Sequence, residues 1–294
     1  MRAPAGPASH MVELETVSDI RGWVHARRRE GRRIALVPTM GYLHQGHLSL
    51  VDAARRRADV VVMTIFVNPL QFGPGEDLTR YPRDLARDRR LAEDRGVDAL
   101  FVPSEAVMYP ASPEIRIVPG PTAERWEGAA RPGHFAGVLT VVAKLFHLAE
   151  PDVACFGRKD VQQSVLIRQM VRELDWPIEL VVVPTVREED GLALSSRNAY
   201  LDREQRRRAA ALSGALREAH VAWRGGERMA AKLEAGMRRF LLAFPEVRVE
   251  YIAVAEPEAL APVTEAREDT VVAIAARIGP IRLIDNIVLG EGLG

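Results

Sequence analysis

Cysteine is nearly absent from this chain: among 294 residues, Cys155 stands alone. No disulfide can form within the chain, which suits a reducing compartment. Lying inside the apolar run Val153 to Phe156, the thiol reads as a small buried side chain, not a nucleophile. Net charge is absent too, with 40 Lys plus Arg against 40 Asp plus Glu. Nothing in that balance points to nucleic acid or an acidic membrane as partner. Long hydrophobic runs are also missing. Val60 to Val67 is among the longest apolar stretches, far short of the roughly 20 residues that cross a bilayer. Lysine is scarce: Lys144, Lys159 and Lys232 are the only three, arginine supplying the rest. Genomic base composition explains that bias, yet it makes each lysine worth inspecting. Internal repeats and low-complexity tracts are absent. What remains is 47% hydrophobic and 27% charged, the balance of a soluble globular protein, expected in the cytoplasm.

Residues 1–11 have no hydrophobic signal core and read as a disordered tail, with Met11 an alternative start. The chain is organised around IALVPTMGYLHQGHLSLV, Ile34 to Val51. Ile34 to Val37 forms an apolar run ending at Pro38, as a buried strand should. Gly41 and Gly46 bracket a turn, and Leu48, Leu50 and Val51 begin a helical pattern. A helix starting after a strand points unpaired N–H groups and its positive dipole end at the crevice above the sheet, where an anion fits. His44 and His47 at its mouth add donors that can follow charge moving between phosphates. Taken alone, the two histidines could equally be incidental loop residues.

The remaining chain alternates strand and helix. Further strands are expected at Val60–Val67, Ala99–Val102, Asp152–Phe156 and Ile178–Val186. Helices are expected at Ser18–Arg29 (capped by Ser18), Arg83–Arg95, Ala136–Leu148 and Val161–Leu174, with Arg131–Phe135 a loop. That alternation implies a parallel sheet with right-handed crossovers. Composition changes at Arg187, so the domains are drawn at 12–186 and 187–294. The second reads as two helices, Arg203–Arg224 and Glu227–Leu242, followed by strands near 247–255, 270–277 and 281–289.

Two more polar turns carry chemistry. Gly157-Arg158-Lys159-Asp160 follows a strand, and its lysine can reach a polyphosphate as a mobile point charge. Asp160 can cap the next helix, hold the lysine or help place Mg²⁺. Leu194-Ser195-Ser196-Arg197 offers two hydroxyls and a guanidinium suited to phosphate oxygens. Each alone is better explained as a capped helix or a polar interdomain loop.

The three together have a family resemblance. His44-Gln45-Gly46-His47 resembles the signature of the nucleotidylyltransferase superfamily. PTMGYLHQGHLSLV, IFVNPLQFGPGEDLTRYPRD, RPGHFAGVLTVVAKLF, FGRKDVQQ and VPTVREEDGLALSSRNAYL closely resemble the pantothenate synthetase family from about Ile34 to Leu201, with weaker agreement through Asp285-Asn286. The resemblance implies an α/β fold: a Rossmann-like parallel sheet plus a smaller α+β C-terminal lid. It implies ATP as substrate with Mg²⁺, a homodimer, and joining of pantoate to β-alanine through a pantoyl adenylate. ATP would lie along Met40, Gly41, Tyr42, Leu43, His44, Gln45, Gly46 and His47, along Gly157, Arg158, Lys159 and Asp160, and at Val186, Leu194, Ser195, Ser196 and Arg197. His44, His47 and Lys159 would act in catalysis, and Gln71 and Gln163 would bind pantoate. Asn68, Asp88, Glu127 and Arg131 match positions around the same crevice. Two positions depart from the family: Arg158 stands where glutamate is common, and Leu194 where methionine is. A different adenylyl- or cytidylyltransferase would share the histidines but not need Gln71, Gln163 and the Gly157–Asp160 block together. A regulator that only binds nucleotide would be expected to have lost His47 or Lys159.

Overall fold

The computed structural model describes residues 10–293. In chain order the strands are β1 (Val12–Leu14), β2 (Ile34–Thr39), β3 (Val60–Ile65), β4 (Ala99–Phe101), β5 (Val153–Gly157), β6 (Glu179–Val183), β7 (Val247–Ala255), β8 (Val271–Ile278) and β9 (Ile281–Val288). The helices are α1 (Val17–Arg29), α2 (Gln45–Arg55), α3 (Leu85–Asp94), α4 (Glu105–Met108), α5 (Trp126–Ala130), α6 (His134–Ala149), α7 (Val161–Glu173), α8 (Arg203–Arg224) and α9 (Ala230–Leu241).

The chain forms two compact units. One comprises the segment ending at Pro119, Arg131–Phe156 and Met170–Val183; the other comprises Gly120–Ala130, Gly157–Gln169 and the segment from Pro184 onward. A single cut at residue 186 therefore does not describe the division, because two short N-terminal segments pack with the C-terminal unit.

In the first unit six strands form a parallel sheet in the order β1-β4-β3-β2-β5-β6. Ile34 pairs with Val60, Leu36 with Ala154, and Val62 with Ala99. Apolar residues occupy both faces of these strands, as a sheet covered on both sides requires. On one side Leu50, Val51 and Ala54 of α2 and Ala92 of α3 close a core against Ala35, Val37, Met63 and Leu100. The order reverses at β2, with β3 on one side and β5 on the other. Open α/β sheets bind ligands at the carboxyl end of such a reversal, and the loop leaving β2 carries the histidines.

Several boundaries differ from expectation for local reasons. β2 continues through Pro38 to Thr39. Thr39 bonds toward β3, so the N–H that Pro38 lacks would point to the β5 side, where pairing stops at Leu36. Thr16, not Ser18, caps α1, in a capping box with Asp19. β1 was not expected at all: Val12–Leu14 pairs with β4, and Met11 packs on the core. The expected tail is thus ordered at Met11, and residues 1–9 of it lie outside the described residues. β6 ends at Val183, leaving Val186 beyond the strand.

In the second unit β7, β8 and β9 form an antiparallel sheet against α8 and α9. Leu212, Leu216, Leu233, Met237, Ile252 and Ile274 are buried between them. Asp202 and Gln205 make a capping box on α8, and Gly225 ends it. No helix among the described residues is long and apolar enough to cross a membrane.

Candidate active site

The predicted site residues fall into both units, and each set is described within its own. In the first, the loop Met40–Leu43 is forced into shape from below. Gly41 has φ 83° and Tyr42 φ 50°, the left-handed region that suits glycine. A Cβ on Gly41 would lie 2.9 Å from Ile65 Cγ2 and 3.1 Å from Asp88 Oδ2. Asp88, buried in α3, accepts from the Tyr42 and Leu43 amides, both at 2.7 Å. Burial pushes its carboxyl up, opposed by those two amides.

His44 caps α2: its Nδ1 accepts from Gly46 N at 3.1 Å, while His47 Nδ1 accepts from His44 N at 3.3 Å. The imidazoles replace the usual Ser and Glu of a capping box. Backbone N–H groups can only donate, so each ring carries its proton on Nε2. The rings lie 4.1 Å apart, tilted by 35°. The expectation of open amides at this helix start is corrected in part, because Gly46 N is already taken. Imidazole N–H groups and the positive end of the helix dipole are the kind of donors that suit an anion.

Gln71 sits on the 3-10 turn Pro69–Gln71 after β3, and it is 9% exposed. Asn68 accepts Leu70 N at 3.3 Å and donates to Gly137 O at 3.1 Å, so backbone partners fix which way its amide faces. Its Nδ2 therefore meets Gln71 Oε1 at 3.0 Å, and Gln71 Nε2 lies 3.2 Å from Met40 Sδ. Gln71 thus has its oxygen occupied and its N–H groups toward the histidine loop. Tyr109 donates to Asn68 Oδ1 at 2.9 Å, and Lys144 lies over the Tyr109 ring, 5.5 Å from its centroid. Burial raises the Tyr109 phenol and lowers the Lys144 ammonium.

The Gln71 main-chain carbonyl accepts from Arg131 Nη2 at 3.2 Å and His134 Nδ1 at 2.8 Å. Arg131 forms a bidentate pair with Glu76 at 2.8 and 2.6 Å. Burial works against ionising Glu76, but Arg131 outweighs it and holds the carboxyl below its ordinary range. His134 begins α6, so the segment expected as a loop through Phe135 ends earlier. Two residues here escaped the sequence reading. His134 was read as part of a loop, and Gly137 left no mark except as a glycine inside a helical pattern.

In the second unit Gly157 leads into a 3-10 turn, Arg158–Asp160, before α7. Lys159 Nζ lies 3.6 Å from Asp160 Oδ1, its side chain 19% exposed. Arg158 turns to Glu291, so the reversed charge has a carboxylate of its own beside it. Val186 O accepts from Leu194 N at 3.0 Å, and Ser195 Oγ accepts from Arg197 N at 3.3 Å, capping the 3-10 turn Ser196–Tyr200. Leu194, Ser195 and Arg197 are half-buried, and Ser196 is buried. Gln163 is half-buried, with no hydrogen bond to its side chain among the described residues. Its neighbour Gln162 is fully used, accepting from Glu127 N at 3.0 Å and donating to Thr122 O and Arg125 O, both at 2.8 Å. Glu127, matched by family to the crevice, is engaged by Arg282 and by Tyr251 (3.0 Å).

These groups are donors and cations suited to phosphate and carboxylate oxygens. Cys155 is buried, its thiol pushed up to about 12 by desolvation, so it is no nucleophile. No group of three His, Cys, Asp or Glu among the described residues could hold a metal.

A profile of the Pantoate-beta-alanine ligase family matches residues 13–288. A pantothenate synthetase of Moorella thermoacetica is 51% identical over 276 residues, covering 94% of this chain and 98% of that protein. One from Pelotomaculum thermopropionicum is 49% identical over 281 residues, covering 96% and 100%. Among solved structures, the pantothenate synthetase of Thermus thermophilus superposes with a TM-score of 0.90 at 50% identity, covering 95% of this chain and 99% of that one. The pantoate-beta-alanine ligase of Francisella tularensis, complexed with beta-gamma ATP and beta-alanine, gives 0.80 at 32%, covering 97% and 100%. The chain belongs to the pantoate–β-alanine ligase family.

Proposed function

We propose that this chain condenses (R)-pantoate with β-alanine, converting ATP to AMP and pyrophosphate. A carboxylate resists an amine because its leaving group would be oxide. Adenylation removes that obstacle. The pantoate carboxylate attacks the α-phosphorus, the bond to the bridging oxygen breaks, and pyrophosphate leaves. The β-alanine amine then attacks the acyl carbon, the C–O bond to AMP breaks, and the amine's proton is lost. No protein nucleophile is required.

The observation that carries this reading is the paired imidazole cap. Two Nε2–H donors held by backbone amides can stabilise charge that grows on phosphate oxygens, without reorganising. Lys159 adds a mobile positive charge, and Arg197 with Ser195 and Ser196 would grip the polyphosphate. Gln71 would present its N–H groups to pantoate oxygens, with Gln163 as the second amide. Mg²⁺ fits as an ion carried by ATP and its waters, with Asp160 able to share it; it would neutralise phosphate charge. A cytoplasmic homodimer belongs to the same proposal. That β-alanine occurs bound in the Francisella protein supports it as the amine here.

The test is product stoichiometry. Pantothenate, AMP and pyrophosphate should appear in equal amounts only when all three substrates are present. ADP and phosphate as products would overturn the reading.

A further inference from the structure

Within the second unit, the turn that carries Lys159 is tied to β9 through one carboxamide. Asn286, 2% exposed, donates through Nδ2 to the carbonyls of both Arg158 and Lys159, each at 2.9 Å. Its Oδ1 has no hydrogen-bond partner among the described residues. The opposite orientation would set an oxygen against two carbonyl oxygens, so the amide can face only one way.

Asn286 is itself held by its neighbours. Its main-chain N–H donates to Asp285 Oδ1 at 2.8 Å, and its main-chain carbonyl accepts from Arg187 Nη2 at 3.2 Å. Arg187 grips the buried Asp285 at 2.6 and 3.0 Å. The same guanidinium reaches Gly191 O and Leu293 O, both at 3.1 Å. Gly191 belongs to the loop whose next residues run into Leu194–Arg197. Burial pushes the Asp285 carboxyl up, against Arg187 and, more weakly, Lys159. The lysine charge therefore lies within electrostatic reach of this hub.

We propose that Asn286, held by Arg187 and Asp285, is a positioning residue for Lys159, and that Arg187 sets the Lys159 turn and the Ser195–Arg197 loop in one frame. A lysine stem is flexible, and its charge is aimed only as well as the turn beneath it is fixed. Removing the Asn286 amide takes one hydrogen bond from each of these two half-buried carbonyls and frees the turn to move. A displacement of about 1 Å at a reacting centre lowers rates by roughly 100-fold. This inference rests on the ATP-handling role proposed above for Lys159.

The scarcity of lysine makes the test direct. Reductive methylation with isotope-labelled formaldehyde gives signals for the N-terminal amine, Lys144, Lys159 and Lys232, and Lys159→Arg assigns the one of interest. In Asn286→Ala the Lys159 resonance should shift or broaden while those of Lys144 and Lys232 hold. An unmoved Lys159 resonance overturns the positioning role whatever the enzyme assay gives. Should Asn286→Ala fail to fold, Asn286→Ser, whose hydroxyl can serve one carbonyl, gives the same readings in milder form. In kinetics, Asn286→Ala should lower kcat for ATP–pyrophosphate exchange about 100-fold with ATP KM little changed. In a Lys159→Ala background the same substitution should cost almost nothing further. Losses that multiply independently contradict the proposal. A parent enzyme without exchange would remove the separate adenylation step from the proposed function instead, while the lysine spectrum still decides this one.

Discussion

Gly137→Ala sets two physical effects against each other. Inside a helix such as α6, alanine is favoured over glycine by roughly 1 kcal/mol, so propensity predicts a more stable protein. The packing says otherwise. A Cβ at Gly137 would lie 2.1 Å from Leu70 O, 2.4 Å from Leu70 C and 2.7 Å from Gln71 N. These are backbone atoms, so no rotamer change relieves the overlap. The turn carrying Gln71 must retreat by about 1 Å, and overpacking of that kind costs about 1–3 kcal/mol. It would also stretch the bond from Asn68 to Gly137 O, which fixes the direction of the Gln71 amide. Packing wins: the variant should lose up to about 2 kcal/mol net, seen as a Tm lower by a few degrees. Its kcat/KM for pantoate should fall roughly 100-fold, because the recognising amide moves with the turn. Thermal unfolding and initial rates at varied pantoate measure both. A variant as stable as the parent, with unchanged pantoate KM, would refute the reasoning.

Gln71→Ala leaves one of the two Asn68 Nδ2–H groups without its partner and should raise pantoate KM about tenfold to a hundredfold; an unchanged KM would remove Gln71 from substrate recognition. Arg158→Glu puts a carboxylate against Glu291, which is half exposed. Stability should drop by no more than about 1 kcal/mol, less at high salt, with ATP KM nearly constant; a large rise in ATP KM would mean that Arg158 touches phosphate. The Glu76–Arg131 pair predicts a pH effect. Glu76 is held below its ordinary 4.5 when folded, so its stabilisation is present above that value and fades as pH falls through the lower one. The stability gap between the parent and Glu76→Gln should therefore shrink in acid, and a gap constant down to pH 3 would contradict the pair's role.

Helix α8 was legible to the residue, because Asp202 and Gly225 are strong local punctuation and its apolar face recurs at helical spacing. The three C-terminal strands were nearly as plain. β1 was not, since three residues carry no period and its ladder is set by β4, far along the chain. Pro38 was read as a terminator, although the pairing on its N–H side had already ended. In the site, His44, His47 and Lys159 were visible as residue types at strand-to-helix turns. The groups that hold their loops could not be read from spacing: Asp88, placed at the crevice by the family resemblance alone, lies 45 residues from Leu43, whose amide it accepts, and Asn286 lies 127 residues from Lys159. Such partners leave no local pattern, because their meaning is created by the fold. Glu127 shows the converse, for a position matched by family has its carboxylate taken by Arg282 and Tyr251.

The central claim is that adenylation precedes, and does not require, the amine. Isotope exchange tests it most directly: with ATP, pantoate and labelled pyrophosphate, but without β-alanine, label should enter ATP. Exchange that needs β-alanine, or that proceeds without pantoate, would contradict the account.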